Sequence, residues 1–432
     1  MDSSWIHPRE ELVATMRRIY QYHMTTTSGG NLSILDEDGS IWITPSRVDK
    51  GNLVSSDIVR VHPDGRIEGN HPPSSEFPFH REIYRRRPDI KAIVHAHPGA
   101  LVAYSICRQL PDLTVQTHAY HVCRKIAYAE YACPGSEKLG SNIADAFATG
   151  ADCVMLENHG VVIGGSDLQD AFQRFETLEF IAQTLVKANR LGPVTSLPEG
   201  VLRDLPFAPH SENAVRVPAN EEKALRKQLC DFVHRSYQQR LLISTAGAFS
   251  ARLKDEEFLI TPRRRDRLDL DIPGVVRTKG DACEAGKNPS RAVRLHSLIY
   301  EKNPDVGAII LAQPAHASAY CMTQAELSTR TIPESYLVLQ ESPKVPFACI
   351  VNDAEKLADL MSLEKCPVIL IQNEGALIVG KDLLDAFDRL EVLEATAEAL
   401  QLSRPLGPLV PMPHAALVEL REAFGLAPLP EA

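Results

Sequence analysis

Four side chains in the first half of the sequence are of the types that hold a divalent metal ion: Glu76, His95, His97 and His159. His95 and His97 follow a predicted strand. Residues i and i+2 of an extended segment point to the same side, so both imidazoles can face one ion. Three neutral imidazoles and one carboxylate suit Zn²⁺ and leave the ion with a positive charge that polarises a substrate oxygen. The sequence therefore predicts one metal site per chain, for zinc or another divalent ion.

Each of these residues also has an ordinary structural explanation. Two histidines with one residue between them are a weak signal. His159 could cap a turn, and Glu76 could be an exposed carboxylate favoured by the dipole at the start of a helix. An internal repeat helps to choose between the interpretations, because most of the chain occurs twice. The matching segments are 43–45 with 260–262, 82–94 with 298–310, and 167–172 with 382–387.

The second copy has lost all four candidate ligands while their neighbours are retained. In register, the replacements are Ala292, Leu311, Gln313 and Glu374. A shared function that was lost as a whole explains this pattern, whereas four ordinary packing residues would have no reason to differ together. We interpret the retained His80 and His296 as structural. The retained pairs are Pro73 with Pro289, His80 with His296, Pro98 with Pro314, Asn158 with Asn373, and Gly160 with Gly375.

The repeat also divides the chain. Residues 196–218 contain several prolines and show little periodicity, which predicts a linker between a first domain at 1–195 and a second domain at 219–432. Strands and helices alternate irregularly within each copy, so we expect α/β domains in which a sheet is covered by helices. In the first copy, the predicted helices are 8–23, 78–87, 135–149 and 167–189, and the predicted strands are 40–44, 58–62, 90–95, 153–156 and 161–163.

The bulk composition argues against several classes of protein. The chain of 432 residues is 44% hydrophobic and 24% charged, as is ordinary for a globular protein. Its formal net charge of -10 argues against a general nucleic-acid binder, which carries a basic surplus. The nine cysteines include no C-x-x-C pair, which favours a reducing compartment. The sequence has no apolar run of about 18 residues and no hydrophobic N-terminal segment. We therefore expect a cytoplasmic protein without a membrane partner.

A second group of residues predicts a pocket for an anion. Residues 28–33, with the sequence S-G-G-N-L-S, are predicted to form a small, flexible turn with free backbone N–H groups. Residues 44–46 and the pair Ser74 and Ser75 add hydroxyl donors, and such clusters can hold a phosphate without net positive charge. Ser74 and Ser75 directly precede Glu76, which puts donors beside the metal. By itself, an S-G-G-N segment is more typical of an ordinary turn.

Together, these motifs resemble those of the class II aldolase/adducin family in order and spacing. They cover most of residues 8–193, and the second copy resembles the same fold in degenerate form. The resemblance implies two α/β/α domains in tandem, each with a central, mostly antiparallel sheet covered by helices. The motifs are S-G-G-N-L-S at 28–33, I-T-P-S at 43–46, P-S-S-E at 73–76, H-A-H-P at 95–98 and E-N-H-G at 157–160.

The resemblance also implies the chemistry of the site. It implies Zn²⁺ held by His95, His97 and His159, with Glu76 both near the metal and acting as the acid/base. Aldolases of the family cleave a ketose 1-phosphate to dihydroxyacetone phosphate and an aldehyde. This cleavage leaves an enediolate whose negative charge the zinc stabilises. Related epimerases carry an aspartate in place of the glutamate, which disfavours that activity. The residues implied to hold the phosphate are Gly30, Asn31, Ser46, Ser74 and Ser75.

The leading prediction is a zinc-dependent lyase that cleaves a C–C bond of a small phosphorylated ketose by way of a metal-bound enediolate. A decarboxylase of a 3-oxo sugar-acid phosphate is the alternative on the same site, because both reactions form the same kind of enediolate. A dehydratase is also possible on this scaffold. A non-catalytic, adducin-like interaction protein is the alternative from another class, and the intact ligands of the first copy argue against it.

The phosphate pocket departs from the pattern of the family at one position and differs between the copies. The family's aldolases often place glycine after the I-T-P-[ST] run, where this chain has Arg47. The guanidinium could add a charged hold on a phosphate or a carboxylate. It could equally block the phosphate and indicate a different substrate. In the second copy, Ala248 replaces Asn31 and Arg291 replaces Ser75.

The second copy could also contribute to catalysis. The resemblance implies fourfold rings with sites between neighbouring subunits, so a homodimer of the tandem chain could form a pseudo-tetramer. Family aldolases use a tyrosine from a neighbouring subunit as a proton donor. Tyr336 falls opposite Tyr120 in the repeat, and the hypothesis is that one of the two has this role. The alternative for each is a buried or interface tyrosine.

Overall fold

The computed structural model describes residues 5–203, 211–280 and 282–426. These residues form two compact units. Unit 1 comprises the chain up to residue 113 together with 118–183, and unit 2 comprises 114–117 together with the chain from residue 184 onward. Each unit is built around its own β-sheet.

The sheet of unit 1 has eight strands in the part of the chain that the structure describes. The strands are β1 Asn31–Leu35, β2 Ile41–Ile43, β3 Val59–Val61, β4 Ile67–Glu68, β5 Ala92–Ala96, β6 Ile126–Ala129, β7 Cys153–Leu156 and β8 Val161–Gly165. Their spatial order is β4-β3-β2-β1-β5-β8-β7-β6. Neighbouring strands are antiparallel apart from β6 and β7, which are parallel. The central strands are therefore β1, β5 and β8, each short and buried.

Helices cover both faces of this sheet. They are α1 Pro8–Gln21, α2 Phe77–Arg86, α3 Gly99–Ile106, α4 Thr117–Cys123, α5 Glu137–Ala148 and α6 Leu168–Leu191. On one face, Phe79 of α2 and Phe147 of α5 share an apolar core with strand residues such as Ile93. On the other face, α1 packs against β1 and β2. Ser136 is the N-cap residue of α5, and its hydroxyl accepts a hydrogen bond from the Leu139 N–H at 3.2 Å.

Unit 2 repeats this plan with nine strands among its described residues. The strands are β9 Ser211–Asn213, β10 Ala248–Arg252, β11 Glu257–Ile260, β12 Val276–Lys279, β13 Ala282–Glu284, β14 Ala308–Ala312, β15 Lys344–Val345, β16 Val368–Ile371 and β17 Gly375–Gly380. Their spatial order is β15-β16-β17-β14-β10-β11-β12-β13-β9. The helices are α7 Glu199–Arg203, α8 Asn220–Gln238, α9 Val293–Lys302, α10 Ala315–Cys321, α11 Pro333–Leu339, α12 Ala348–Asn352, α13 Ala354–Leu360, α14 Leu383–Ser403 and α15 His414–Ala423.

The strand register of the two sheets confirms the alignment of the repeat. In unit 1, Asn31 of β1 pairs with His95 of β5. In unit 2, Ala248 of β10 pairs with Leu311 of β14. These are the partners that the sequence alignment equates, so residues at equivalent sequence positions also occupy equivalent places in the sheets.

The structure confirms the predicted fold class and corrects one segment. The sheets are mostly antiparallel and covered by helices, and the predicted helices and strands of the first copy occur within about three residues of their predicted bounds. Residues 31–33, however, are not part of a flexible turn, because β1 begins at Asn31 and is paired on both sides, so only 28–30 precede the strand. Small and polar residues concealed a central strand that is only five residues long. The predicted linker at 196–218 carries α7 and β9, and its residues 204–210 lie outside the described part of the chain.

Among the described residues, no helix combines the length and the apolar character needed to span a bilayer.

Candidate metal centre

The centre of the unit 1 sheet positions the first two histidines. His95 lies in β5, where it pairs with Asn31 of β1 on one side and with Val162 of β8 on the other. His97 follows just beyond the end of this strand. Because β5 is held on both sides, the backbone that carries the two imidazoles is fixed by the sheet rather than by a loop.

His159 enters the site from the tight turn between β7 and β8. Its N–H lies 3.2 Å from the carbonyl oxygen of Leu156 and 3.0 Å from Oγ of Ser105. The Ser105 hydroxyl donates in turn to the Leu156 carbonyl at 2.6 Å. Asn158 has a φ of 54°, in the left-handed region that asparagine tolerates better than most residues. The turn is therefore fixed by backbone and serine contacts, which leaves the His159 ring free to face the other histidines.

Glu76 is the N-cap residue of α2, but its side chain makes no capping hydrogen bond. The residue is only 8% exposed. Its Oε2 accepts a hydrogen bond from Nδ2 of Asn31 at 2.8 Å. The simple alternative, an exposed carboxylate that interacts with the helix dipole, does not describe this buried side chain.

The structure brings all four predicted ligands together. Nε2 of His95 lies 3.1 Å from Nε2 of His97 and 3.2 Å from Oε2 of Glu76. Nε2 of His159 lies 3.8 Å from the other carboxylate oxygen of Glu76. The ligand atoms of the three histidines all lie within 4.8 Å of one another. A single cation could therefore contact the three imidazoles, with a carboxylate beside two of them.

The orientation of the His95 ring is set by a backbone carbonyl. Its Nδ1 donates to the Val161 carbonyl oxygen at 2.9 Å, which leaves Nε2 as the nitrogen that can bind a metal. The ring is fully buried, and its edge meets the ring of Phe79 with the centroids 5.6 Å apart. Contacts of this kind hold a metal ligand in place before the ion binds.

Two glycines allow the backbone to approach the histidines closely. A Cβ at Gly160 would lie 2.6 Å from both the Ala96 carbonyl oxygen and Cδ2 of His97. Gly30 has a φ of 72°, and a Cβ there would lie 2.6 Å from the carbonyl oxygen of His95. Any larger residue at either position would displace the segment that carries the ligands.

The electrostatics of the site suits metal binding. Burial and the charge of His95 lower the pKa of His97 to about 3 and that of His159 to about 4, so both rings are neutral. Burial opposes ionisation of Glu76, but the neighbouring His95 outweighs burial and lowers the pKa of the carboxyl. Burial likewise disfavours the charged form of His95, yet the Glu76 carboxylate raises its pKa. Positive charge is therefore favoured next to Glu76, where a metal cation would displace the proton.

The donor set fits zinc. Three histidine nitrogens are a ligand set that catalytic zinc sites use, with a further position left for water or substrate. Among the described residues this cluster contains no sulfur ligand, so other divalent ions that accept nitrogen and oxygen are chemically compatible as well.

A buried chain of hydrogen bonds runs from the core to Glu76. Ser33 Oγ lies 2.7 Å from the Tyr84 hydroxyl and 2.7 Å from Nδ1 of His80. Nε2 of His80 lies 2.5 Å from Oδ1 of Asn31, whose Nδ2 donates to Glu76. Since burial lowers the pKa of His80 to about 3, its ring is neutral and carries one proton. Each group in this chain then donates toward the carboxylate, in the direction Tyr84, Ser33, His80, Asn31, Glu76.

Unit 2 retains only the first part of this chain. Nδ1 of His296 lies 2.8 Å from Oγ of Ser250, which lies 2.8 Å from the Tyr300 hydroxyl. The chain ends there, because Ala248 replaces the asparagine, and Nε2 of His296 is buried without a hydrogen-bond partner among the described residues. His80 was interpreted from the sequence as structural, and its contact with Asn31 shows that it also orients the amide that contacts Glu76.

Two segments that carry predicted phosphate-binding residues meet next to this site. An isolated β-bridge joins Pro45 to Pro73. Ser46, which follows the first proline, donates its N–H to the Pro72 carbonyl oxygen at 3.1 Å. The bridge therefore places the I-T-P-S segment beside the serine pair that precedes Glu76.

The predicted phosphate-binding residues differ in how available they are. Ser75 and Arg47 are exposed. Ser74 is buried, and its Oγ accepts a hydrogen bond from the Glu76 N–H at 3.2 Å. The side-chain amide of Asn31 hydrogen-bonds to both Glu76 and His80. In this structure it therefore contacts the carboxylate, although it was predicted to bind phosphate.

Arg47 has a φ of 58°, and its counterpart Arg264 in unit 2 has a φ of 56°. Both values lie in the left-handed region that favours glycine. Glycine adopts this backbone conformation without strain, which is a physical reason to find glycine after an I-T-P-[ST] run. An arginine at this position therefore adopts a strained backbone conformation in both units.

Two buried residues beside the pocket were missed by the sequence analysis. Lys50 is 2% exposed, its Nζ donates to the Pro45 carbonyl oxygen at 2.6 Å, and burial lowers its pKa to about 8. Oγ1 of Thr25 is buried without a hydrogen-bond partner among the described residues, and a Cβ at Gly30 would lie 3.3 Å from it. The run of three threonines at 25–27, directly before S-G-G-N, was the available signal.

The two candidate tyrosines occupy different environments. Tyr120 is partly buried in α4, and its ring lies 5.5 Å from that of His121. Tyr336 is 1% exposed, and its hydroxyl accepts a hydrogen bond from Nη1 of Arg421 at 3.0 Å. Within unit 2, Tyr336 is thus a packed residue between α11 and α15.

Comparison with known proteins identifies the family. Residues 10–186 and 227–401 each match the model of the class II aldolase and adducin N-terminal domain. The chain belongs to this family. The two matched regions correspond to the two copies of the repeat.

Curated relatives include both aldolases and decarboxylases. The chain is 34% identical over 206 residues to the 5-deoxy-D-ribulose 1-phosphate aldolase of Bacillus thuringiensis serovar kurstaki, which covers 46% of this chain and 92% of the relative. It is 34% identical over 179 residues to the 3-oxo-tetronate 4-phosphate decarboxylase of Haemophilus influenzae, and this match covers 40% of this chain and 85% of the relative. It is 34% identical over 181 residues to the L-fuculose phosphate aldolase of Methanococcus maripaludis, and this match covers 42% of this chain and 97% of the relative. The class of the chain is therefore a metal-dependent aldolase or a related lyase.

The hydrogen-bond chain makes a prediction about His80. Replacing His80 with leucine removes the donor that fixes the Asn31 amide, so kcat should fall by about tenfold or more while zinc content stays unchanged. His80→Gln, which retains a donor, should recover part of the loss. His296→Leu is the matched control, because it removes the equally buried histidine of unit 2 and should leave kcat at the wild-type value. If His80→Leu and His296→Leu had the same effect on turnover, His80 would not be a positioning residue for Glu76.

Proposed function

We propose that unit 1 is a zinc-dependent lyase that cleaves a C–C bond of a small phosphorylated ketose. The observation that carries this proposal is that three imidazole nitrogens lie close to one another and that two of them, from His95 and His159, lie beside the buried carboxylate of Glu76. Two relatives that are matched over most of their own length are sugar-phosphate aldolases, which supports a phosphorylated ketose as the substrate.

The proposed metal ligands are His95, His97 and His159. When bound, zinc supplies a Lewis acid that stabilises negative charge on substrate oxygen as the C–C bond breaks. The ligands themselves need little reorganisation, because the Val161 carbonyl orients the His95 ring and the turn contacts hold His159.

Glu76 is the proposed acid/base. Its carboxylate lies beside the histidines and is held at Oε2 by the Asn31 amide. The amide and the imidazoles favour the ionised form, which is the protonation state that a general base requires. A carboxylate that is buried and oriented on one side presents its remaining lone pairs in a defined direction, which favours proton transfer at one substrate atom.

The phosphate of the substrate is proposed to bind where the two bridged segments meet. The backbone of Gly30 and the hydroxyls of Ser46 and Ser75 offer donors, and Arg47 adds a positive charge at the exposed side. The ammonium group of Lys50 lies beneath this surface on the Pro45 carbonyl and supplies further positive potential.

A decarboxylase of a 3-oxo sugar-acid phosphate is the second candidate. It is favoured by the relative from Haemophilus influenzae, whose name states that activity and which is matched over 85% of its own length. The proposed residues serve both reactions, since each reaction leaves an enediolate next to the metal ligands.

We further propose that two chains associate as a homodimer with a pseudo-tetrameric arrangement, and that Tyr120 or Tyr336 donates a proton in the lyase reaction. Sedimentation velocity of the full chain tests the first part, because a monomer at micromolar concentration would contradict it. The tyrosine hypothesis rests on the correspondence of the two positions in the repeat.

The function is tested with purified, zinc-loaded full-length protein. With dihydroxyacetone phosphate and a panel of aldehydes, we expect condensation products, and Glu76→Gln should reduce their rate by about a hundredfold or more. If CO₂ is released from 3-oxo acid phosphates and no condensation occurs, the decarboxylase is correct and the aldolase is not. Tyr120→Phe and Tyr336→Phe in the same assay assign the proton donor, and wild-type kcat in both would remove the tyrosine hypothesis.

Arg47 makes a separate prediction. Arg47→Gly relieves the left-handed strain and should raise the free energy of unfolding by about 1 kcal/mol, but it should lower kcat/KM for a phosphorylated substrate by about tenfold. Arg264→Gly in unit 2 is the control, because it offers the same backbone relief and should leave kcat/KM unchanged. A rise in kcat/KM for Arg47→Gly would show that the arginine blocks the phosphate site instead of forming it.

A further inference from the structure

Unit 2 retains the backbone framework of the phosphate pocket. An isolated β-bridge joins Pro262 to Pro289, and the Arg263 N–H donates to the Asn288 carbonyl oxygen at 2.9 Å. The same bridge and the same bond occur in unit 1, where the donor is Ser46. Arg263 therefore stands where unit 1 has a serine hydroxyl.

The second segment of this pocket also carries an arginine where unit 1 has a serine. The Ala292 N–H donates to Oγ of Ser290 at 3.3 Å, which reproduces the serine contact that precedes α2 in unit 1. Arg291, between these two residues, takes the place of Ser75. Where unit 1 offers two hydroxyls, unit 2 offers two guanidinium groups.

The arginines act on one another. Arg263 is partly buried, and burial together with the charges of Arg264 and Arg291 lowers its pKa. Arg264 and Arg291 are exposed, and neither forms an ion pair with another residue in the described part of unit 2. Like charges held together in this way repel one another, and an anion between them would turn repulsion into attraction.

A fourth cation lies beneath them. Arg267 occupies the position of Lys50, is 2% exposed, and has its pKa lowered by burial to about 10. Its described hydrogen bonds all go to backbone carbonyl oxygens and none to a carboxylate. The acceptors are Ala246 at 2.9 Å, Pro262 at 3.1 Å, Arg265 at 3.1 Å, Thr245 at 3.0 Å and Gly247 at 2.6 Å.

The positions of unit 2 that correspond to the proposed metal ligands of unit 1 carry polar groups, but these groups do not form a set of metal ligands. Gln313, in the place of His97, is 6% exposed, and its Oε1 has no hydrogen-bond partner among the described residues. Glu374, in the place of His159, accepts a hydrogen bond from Thr117 Oγ1 at 2.7 Å. Burial raises the pKa of Glu374 while the charge of Arg291 opposes that shift, so Arg291 acts on this position as well as on Arg263.

We propose that unit 2 carries a metal-free binding site for a phosphate monoester, held by Arg263 and Arg291 above the buried Arg267. Two guanidinium groups match the charge and the oxygen geometry of a phosphate dianion. The unpartnered amide oxygen of Gln313 accepts a hydroxyl of the same ligand. Unit 2 is then a binding module that arose as the metal site disappeared, and this inference does not depend on which reaction unit 1 catalyses.

The test uses the full chain with inorganic phosphate as the probe. Hydrogen–deuterium exchange is measured with phosphate and with sodium chloride at the same ionic strength, and peptides that cover 261–267 and 288–294 are compared. We expect phosphate to protect both peptides in the wild type. In Arg263→Gln/Arg291→Gln, the apparent affinity from these peptides should fall by about tenfold or more. Peptides covering 44–50 and 72–78 report unit 1 separately, so loss of unit 1 function would not be confused with loss of this site.

Two further variants make the result interpretable. Arg294→Gln removes an exposed arginine of α9, the helix that follows Arg291, and should leave phosphate protection unchanged. Arg291→Gln changes only an exposed side chain, so it retains the fold and should still weaken binding if the double variant is unstable. The proposal is overturned if phosphate protects neither peptide in the folded wild type, if chloride protects them equally, or if Arg291→Gln binds phosphate like Arg294→Gln.

Discussion

The antiparallel pairing of β5 with β1 and β8 is the constraint on which the unit 1 site depends. It places His95 between Asn31 and Val162, so a metal ligand, the amide that holds Glu76 and the strand that leads from His159 occupy adjacent positions. A slip of one residue in either pairing would turn the His95 side chain to the opposite face of the sheet. Close contact is possible only because Gly30 and Gly160 have no side chain to separate the strands.

Protein contacts hold the proposed metal-binding side chains in this arrangement. The His95 ring is fixed by the Val161 carbonyl, and Glu76 is fixed by Asn31 and His80. The neutral His97 and His159 add no charge that would compete with a cation. An ion therefore meets a preformed group of donors, and little binding free energy is lost to ordering side chains.

The sequence predicted those parts of the structure that have a periodic or local signal. The H-x-H spacing, the buried strand before it and the long final helix could be predicted from alternation and helical periodicity. The strand at 31–35 could not, because a short central strand with Asn31 and Ser33 lacks the apolar pattern of a buried strand. The role of His80 was also hidden, since its partners Ser33 and Asn31 are 47 and 49 residues away in the chain. Lys50 was missed for a related reason, because nothing local marks a lysine that binds a backbone carbonyl in the core.

The comparison of the two units shows how one scaffold supports two different pockets. In unit 2 the hydrogen-bond chain stops at His296, whose Nε2 lacks the partner that Asn31 provides in unit 1. A buried nitrogen without a partner costs free energy, a cost that the Asn31 contact avoids at His80 of unit 1. The arginines of unit 2 are not explained by this loss, because losing a metal site does not require three exposed or partly buried cations next to one another.

We propose that each chain holds one catalytic metal ion and that unit 1 binds it. Elemental analysis of the purified full chain tests this proposal, with His95→Ala/His97→Ala and the control His234→Ala/His316→Ala measured beside the wild type. We expect about one zinc ion per chain in the wild type and in the control, and none in the unit 1 variant. Well-folded wild-type protein without a divalent metal, or zinc that remains after both unit 1 histidines are removed, would contradict it.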